Sequence, residues 1–174
     1  MQIRESRGTE AESIRLLHLA AFGEPEGATV SALALELLED PSAMPQLSLV
    51  AEERGQLLGH ILFTPVALDD DWACGGYILA PLAVAPASHG KGVGSALIEQ
   101  GLAMLRERGI QFVLVLGDPN YYTRSGFQAG HNLAPPHELP YPEAWMVQAL
   151  QPGALEGMAG EIRCADALNA PEHW

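Results

Sequence analysis

Basic residues are scarce in this chain of 174 residues, which has 9 Lys and Arg against 22 Asp and Glu and a formal net charge of −13. Proteins that bind mainly nucleic acid neutralise its phosphates with clustered Lys and Arg. The composition therefore argues against DNA or RNA as the main partner. An acidic surface attracts a cationic small molecule or a basic peptide, and it also simply keeps a protein soluble. Both explanations stay open at this point.

Cysteines and long apolar runs are also few. Cys74 and Cys164 lie far apart without metal-ligand spacing, so we expect two buried thiols in a reducing cytosol and no metal site. The longest apolar run, YILAPLAVAPA, is too short and is broken by proline, so we expect no membrane partner. The first residues, MQIRESRGTEAESIRLL, lack the regions of a signal peptide. These absences together predict a cytoplasmic protein.

What the chain does contain predicts one domain, because 174 residues with 48% hydrophobic content are enough to bury a core. Hydrophobic periodicity and turn residues predict the helices and strands. The first half of the chain has a strand at 2–5, a helix from Thr9, a helix through Val30 that ends before Pro41, two strands within 47–68 joined at Arg54-Gly55, a solvent turn at DDDWACGG and a strand in GGYILAPLAV. The second half has a helix over 92–108, a strand over 111–116, a short helix after Asp118, a strand from Phe127, a strand over 144–150 and a weak strand over 161–164. We therefore expect an α/β fold with a mixed (α+β) sheet in the order βααβββαβαβ. Residues 1–151 would form the domain, and 152–174 a C-terminal tail packed on it.

Three alternate glycines separate an apolar strand from a helix in PLAVAPASHGKGVGSALIEQGL, residues 81–102. A glycine-rich turn at a helix N-terminus binds anions, because its backbone N–H groups are unpaired and the helix dipole adds positive potential. A P-loop is excluded because Lys91 is followed by Gly92 and not by Ser or Thr. A Rossmann fingerprint is excluded because the spacing is G-x-G-x-G. A plain turn with glycines for packing remains an alternative.

This turn resembles the pyrophosphate loop of the GCN5-related N-acetyltransferases (GNAT), whose core pattern is Gln/Arg-x-x-Gly-x-Gly/Ala. His89, Gly92 and Gly94 occupy these positions, with His89 where the family usually has Gln or Arg. The resemblance implies that loop amides bind the pyrophosphate of acetyl-coenzyme A, the cosubstrate, and Lys91 could add charge. It also implies the acyl-CoA N-acyltransferase (GNAT) fold, a central mixed β-sheet flanked by helices.

The strand before the loop extends the resemblance. LAV at 82–84 matches the family's fourth strand, where a bulge or a splay leaves backbone groups free to bind the pantetheine arm. Pro81 suits such an irregularity because it cannot donate to a sheet ladder. The residues that the resemblance assigns to the coenzyme are Leu82, Ala83, Val84, His89, Gly90, Lys91, Gly92, Val93, Gly94 and Ser95.

A second motif, GDPNYYTRSGF at 117–127, supplies independent support. Asp118 and Pro119 are typical of a helix N-terminus, and Gly126 is typical of a left-handed helix end. Tyr122 stands four residues before Gly126, as in the Tyr-x-x-x-Gly-Phe pattern of the family, which implies that it is the general acid to the departing thiolate. A phenol pKa of about 10 against a thiol pKa of about 8.5 makes that transfer inexpensive. Packing alone is the alternative for Tyr122, and we favour packing for Tyr121.

The resemblance covers roughly residues 2–150, and the segments LAPLAV and GDPNYYTRSGF look especially like the YhbS-like subgroup of predicted bacterial acetyltransferases. It implies an enzyme that transfers the acetyl group of acetyl-CoA to a primary amine by direct attack in a ternary complex. The acceptor would be a small-molecule or peptide amine, and the protein a monomer or a homodimer. The alternatives are a non-catalytic acyl-CoA sensor and an aminoacyl-tRNA-modifying toxin, and the scarcity of Lys and Arg argues against the toxin.

The proton acceptor and the amine pocket carry no motif. The candidates for the general base are Glu24, Glu52, His60 and Asp118. Each has an ordinary alternative: a solvated surface position for the glutamates, a core strand for the histidine and a helix cap for Asp118. Cys74 as an acyl-carrying nucleophile has no neighbouring base motif. We expect the walls of the amine pocket to include Phe22, Glu24 and Trp145.

Overall fold

The computed structural model describes residues 1–174. Its helices and strands are, in chain order, β1 (Gln2–Glu5), α1 (Ala11–Phe22), α2 (Glu26–Glu39), β2 (Leu47–Glu53), β3 (Gln56–Leu68), β4 (Asp71–Val84), α3 (Val93–Glu107), β5 (Phe112–Leu116), α4 (Pro119–Tyr122), β6 (Asn132–Ala134), β7 (Trp145–Ala149) and β8 (Ala159–Arg163). Six strands form a continuous sheet in the order β1-β2-β3-β4-β5-β7. Only β4 and β5 run parallel within this path, so the predicted mixed sheet flanked by helices is confirmed.

The sheet has a hydrophobic core on each face. On one face, α3 buries the apolar stripe that its periodicity predicts, and Leu97 and Ile98 are fully buried. Gly101 lets this helix approach the sheet, because a Cβ there would overlap the ring of Phe63. On the other face, α2 packs through Leu33 and Leu37 with residues of the C-terminal segment. No helix is both long enough and apolar enough to span a membrane.

The connection between β3 and β4 is tighter than the sequence suggests. The predicted solvent turn at DDDWACGG is wrong, because only Asp69 and Asp70 form the turn and Leu68 already pairs with Asp71. Both turn residues have positive φ, 49° and 63°, which is the backbone of a two-residue hairpin turn and which aspartate tolerates. The segment WACGG therefore lies inside β4.

The region after α4 differs from the prediction in two places. No strand begins at Phe127; its side chain is fully buried, and only a single bridge joins Gln128 to Val147. The strand predicted at 161–164 is β8, which starts two residues earlier, at Ala159. It pairs with β3 and with the three-residue strand β6. The tail thus joins the sheet system, because its Ile162 finds a buried place beside β3.

Candidate active site

The sheet opens between β4 and β5. The two strands pair only where Gly76–Leu79 faces Phe112–Val115. Beyond Leu79, β4 keeps β3 as its neighbour, and the β3–β4 register shifts there. Ala80 and Pro81 of β4 stand opposite the single residue Leu62 of β3, so the irregularity expected at this proline is present. As a result, on the side away from β3, residues 80–84 of β4 present backbone groups to a gap and not to a neighbouring strand.

A cavity of about 680 Å³ lies on one side of this gap, and we call it the coenzyme cavity. The predicted coenzyme residues that line it are Leu82, Ala83, Val84, His89, Gly90, Gly92, Val93, Gly94 and Ser95. Lys91, the only lysine in the chain, is an exposed residue of the loop and does not line the cavity. Four lining residues were not predicted to lie there: Ala21, Ser88, Tyr121 and Arg124.

The loop before α3 has the backbone of an anion site. Gly90 and Gly92 have φ of 74° and 80°, and nothing lies within 4 Å of where a Cβ would stand. These glycines therefore supply left-handed backbone, with open space on their outer side. The first intrahelical bond of α3 comes from Ala96 to the carbonyl of Gly92, so the N–H groups of residues 93–95 are free of helical partners. This cradle fits a pyrophosphate.

His89 is anchored to the strand and not directed freely at the loop. Its Nε2 donates to the backbone carbonyl of Val84 at 2.8 Å. The remaining ring nitrogen, Nδ1, is then an acceptor in the neutral imidazole and donates only when the ring is protonated. Arg124, across the cavity, provides a permanent cation, and its Nε donates to the carbonyl of Asn120 at 3.0 Å.

Tyr121 and Tyr122 each pack against a glycine from another part of the chain. A Cβ at Gly94 would overlap the hydroxyl of Tyr121, and a Cβ at Gly117 would overlap the ring of Tyr122. The two rings meet edge-on at 4.9 Å. The packing expected for Tyr121 is therefore present, and it is packing against the loop itself.

Ring packing and a backbone hydrogen bond hold Tyr122 in place. Its ring packs edge-on against Phe127, with centroids 5.9 Å apart. Its backbone N–H donates to the carbonyl of Asp118 at 3.0 Å. Burial raises the pKa of Tyr122 well above the ordinary value of a phenol, so the hydroxyl stays protonated at neutral pH.

A second cavity, of about 690 Å³, lies on the other side of the gap, and we call it the acceptor cavity. Helices α1 and α2, the ends of β4 and β5, and the C-terminal residues form its walls. The residues that line both cavities are Phe22, Leu82, Asp118 and Tyr122. The two cavities therefore meet at the tyrosine predicted to be the general acid.

Two of the three predicted wall residues are placed elsewhere. Phe22 lines the acceptor cavity, but Glu24 lies exposed in the α1–α2 turn, and Glu26 at the start of α2 lines the cavity instead. Trp145 as a wall residue is wrong, because it is 4% exposed and its Nε1 donates to the carbonyl of Leu133. Trp174 stands between it and the cavity, with the two ring centroids 5.4 Å apart.

The candidates for the general base differ in whether they reach a cavity. Glu52 forms an ion pair with Arg4 at 2.7 Å and lines neither cavity. His60 is fully buried, and its ring nitrogens bond to His18 and Ser48, each at 2.8 Å. Burial lowers the pKa of His60 well below its ordinary value. It therefore belongs to the core and is out of reach of a substrate.

Asp118 is the remaining candidate. Its Oδ1 accepts a bond from the N–H of Asn120 at 2.9 Å, so the predicted helix cap is confirmed. It also lines both cavities. Cys74 lines neither; its thiol donates to the carbonyl of Val66, and burial raises its pKa, which makes it a poor nucleophile. No group of three His, Cys, Asp or Glu side chains is arranged to hold a metal ion.

Comparison with known proteins agrees with this geometry. The sequence matches the model of the acetyltransferase (GNAT) family over residues 11–127. YjhQ of Escherichia coli (strain K12), an uncharacterized N-acetyltransferase, is 43% identical over 166 residues, which are 91% of this chain and 88% of that protein. The crystal structure of YhbS from Escherichia coli in complex with CoA has a TM-score of 0.89 at 31% identity, covering 98% of this chain and 92% of that one.

A GNAT family acetyltransferase from Brucella melitensis, solved in complex with acetyl-CoA, has a TM-score of 0.76 at 34% identity, covering 96% of this chain and 97% of that one. The family model, the relatives and the solved structures thus agree on the family and on the fold. The chain belongs to the GNAT family of acetyltransferases.

Proposed function

We propose that this protein is an acetyl-CoA-dependent N-acetyltransferase that acts on a primary amine by direct attack within a ternary complex. The observation that carries this proposal is the meeting of two cavities at Tyr122. One cavity has a built anion site at its far end, and the other has none. A coenzyme and an amine that enter from opposite sides would meet at the gap between β4 and β5. A non-catalytic sensor of acyl-CoA has no need of the second cavity.

Backbone groups would make most of the contacts that hold the coenzyme. The free N–H groups at the start of α3 would bind the pyrophosphate, and Arg124 would add a positive charge. The edge of β4 that has no neighbouring strand, at Leu82–Val84, would bind the pantetheine arm and polarise the carbonyl that reacts. The coenzyme, when bound, supplies an acetyl thioester, which the two cavities would place beside the amine.

Tyr122 would donate to the sulfur that departs. With an ordinary phenol pKa the proton would pass to a thiolate at little cost. Because burial raises the pKa of Tyr122, complete transfer costs more, and a hydrogen bond that stabilises the developing thiolate becomes the larger contribution. The hydroxyl is suited to this role because it is always protonated at neutral pH.

The amine must lose a proton before it attacks, since an alkylammonium has a pKa near 10. We assign this proton to Asp118, directly or through one water, because among the four candidates it alone lines the junction of the two cavities. Its Oδ1 is used by the helix cap, which leaves Oδ2 for the amine. A cytoplasmic location and a monomeric or homodimeric state stay predictions.

The test is release of free coenzyme A from acetyl-CoA in the presence of a panel of amines, for wild type and Tyr122→Phe. We expect kcat to fall by about 100-fold, as for loss of a general acid, while the KM for acetyl-CoA stays within twofold. Tyr141→Phe is the matched control, because Tyr141 is 67% exposed and lines neither cavity. Tight binding of acetyl-CoA with no turnover of any amine, peptide or protein extract would instead identify a sensor.

A further inference from the structure

The end of the chain, which we call the C-terminal wall (residues 164–174), is a fixed part of the acceptor cavity and not a loose tail. Asn169 exchanges two hydrogen bonds with the backbone of Cys164, at 3.0 and 2.6 Å. The N–H of Ala167 donates to Asp40 at 3.0 Å, and that of Asp166 to the hydroxyl of Ser42 at 2.8 Å. These bonds tie the segment to the end of α2, so its side chains are held in place before any substrate arrives.

The wall presents an immobilised aromatic ring to the cavity. The Nε1 of Trp174 donates to the carbonyl of Leu168 at 2.7 Å, and the ring packs edge-on against buried Trp145. Two further rings line the same cavity, those of Phe22 and Tyr122. A ring fixed in this way binds a flat apolar group without losing side-chain freedom.

The charges in the acceptor cavity have one sign. Glu26, Asp118 and Glu172 line it, and no lysine or arginine does. His173 lies beside Glu172, with its Nε2 at 3.8 Å from the carboxylate. An ammonium group is attracted to such a chamber, whereas a carboxylate on the acceptor would meet only like charge.

The remaining surface of the cavity is largely apolar, with Val30, Leu33 and Leu168 among its lining residues. These residues favour an apolar group over further ammonium groups, because a charged group that packs against them loses its hydration. A volume of about 690 Å³ is that of a site for a compact small molecule. One cationic group and one bulky apolar group therefore match the cavity.

Resting on the proposed function, we propose that the acceptor is a small aromatic monoamine without an anionic group, and that the C-terminal wall selects it. The ammonium end lies toward Asp118 and Tyr122, and the ring packs against Trp174. The wall thus distinguishes this acceptor from amino acids by charge and from linear polyamines by shape.

Three commercially available amines test this selection: 2-phenylethylamine, phenylalanine, which adds a carboxylate to the same skeleton, and spermidine. We expect kcat/KM for 2-phenylethylamine to exceed the other two by at least 10-fold. Trp174→Ala should lower that kcat/KM by about 10-fold without changing the KM for acetyl-CoA. Trp72→Ala, which removes a 44% exposed tryptophan outside both cavities, should leave both values unchanged.

A charge reversal at Glu172 separates a loss of selectivity from general structural damage. The side chain of Glu172 is 67% exposed, so Glu172→Lys is compatible with folding and brings a cation to the cavity. We expect the preference for 2-phenylethylamine over phenylalanine to fall by about 10-fold, a gain for phenylalanine that misfolding does not produce. An unchanged preference in both variants would overturn the role of the wall.

Calorimetric titration of 2-phenylethylamine into the protein saturated with coenzyme A separates the two proposals. Binding that weakens in Trp174→Ala, without turnover, would refute the enzyme and retain the aromatic site. Turnover that favours spermidine or phenylalanine would retain the enzyme and refute the site. The absence of both binding and turnover of 2-phenylethylamine would also refute the site.

Discussion

The coenzyme cavity and the acceptor cavity have nearly the same volume, about 680 and 690 Å³, but they are built in different ways. The first is made mainly by one continuous stretch, 82–95, and by the segment around α4, residues 118–124. The second is assembled from α1, α2, the ends of two strands and the C-terminal wall. A ligand that all members of a family share can be bound by backbone and glycine. A ligand that differs between members needs side chains drawn from many places.

The two cavities also differ in the sign of the charged residues around them. Arg124 lines the coenzyme cavity, and the only lysine of the chain, Lys91, belongs to the loop. Glu26 and Glu172 line only the acceptor cavity. The overall excess of acidic residues therefore hides a local polarity, which suits an anionic coenzyme on one side and a cationic amine on the other.

Asp118 stands where the two sides meet, and its replacement should have the largest effect. Asn caps a helix as well as Asp does, so Asp118→Asn removes the carboxylate while it retains the cap. We expect kcat to fall by about 100-fold or more, with the KM for acetyl-CoA nearly unchanged and the melting temperature within about 2 °C of wild type. Steady-state kinetics and a thermal melt measure these values. A variant with full activity would show that the proton leaves by another route.

The boundary between the cavities also depends on a buried histidine. Phe22, which lines both cavities, stacks on His18, with ring planes 2° apart. His18 is fully buried, and its Nδ1 has no hydrogen-bond partner. Burial lowers its pKa from 6.5 to about 4, so between these values the unfolded chain binds a proton that the folded protein does not.

The contribution of His18 to stability is therefore complete above pH 6.5 and is lost as the pH falls toward 4. Between pH 6.5 and 5 the free energy of unfolding should drop by about 2 kcal/mol from this residue. Urea unfolding at several pH values measures the slope, which should be smaller in His18→Gln. An equal slope in that variant would assign the pH dependence to other groups, such as His60.

The coenzyme side should be sensitive to one methyl group at Gly94. In Gly94→Ala the new Cβ overlaps the hydroxyl of Tyr121, and either the loop or the segment 118–124 must move. We expect the KM for acetyl-CoA to rise by about 10-fold, with about 1.4 kcal/mol lost. The acceptor KM should change by less than threefold, since Gly94 does not line that cavity.

A second substitution makes this prediction specific. In Gly94→Ala/Tyr121→Phe the hydroxyl that overlaps the new Cβ is absent, and the next atom of the ring lies at an ordinary contact distance of 3.4 Å. We expect the double variant to recover most of the affinity for acetyl-CoA. If it does not recover, the glycine is needed for the phosphate itself and not for the tyrosine.

The two sides also differ in how far the sequence predicts them. His89, Gly92 and Gly94 could be predicted from the resemblance to the family's loop, in which glycines stand at a fixed spacing. Tyr122 followed from its spacing to Gly126. Arg124 was missed although it lies between them, since a charged residue in a surface helix carries no sign of the direction in which it points.

The acceptor side was largely inaccessible to sequence reasoning. Trp145 and Trp174 look alike as isolated aromatic residues, and only the packing of the C-terminal wall decides that Trp174 faces the cavity and Trp145 the core. In the same way, the point at which α2 begins decides that Glu26 lines the cavity and Glu24 does not. The position of the C-terminal wall in turn depends on hydrogen bonds between residues more than 100 positions apart, from Asp166 to Ser42 and from Ala167 to Asp40.

Tyr121 and Tyr122 are successive residues of one short helix; their rings meet edge-on at 4.9 Å, and both line the coenzyme cavity. One touches Gly94 at the loop, and the other lies where the cavities join. Since neighbours in a helical turn cannot shift independently, a displacement of the loop at Gly94 would also displace Tyr122. The short helix therefore couples the glycine loop to the junction at which the two cavities meet.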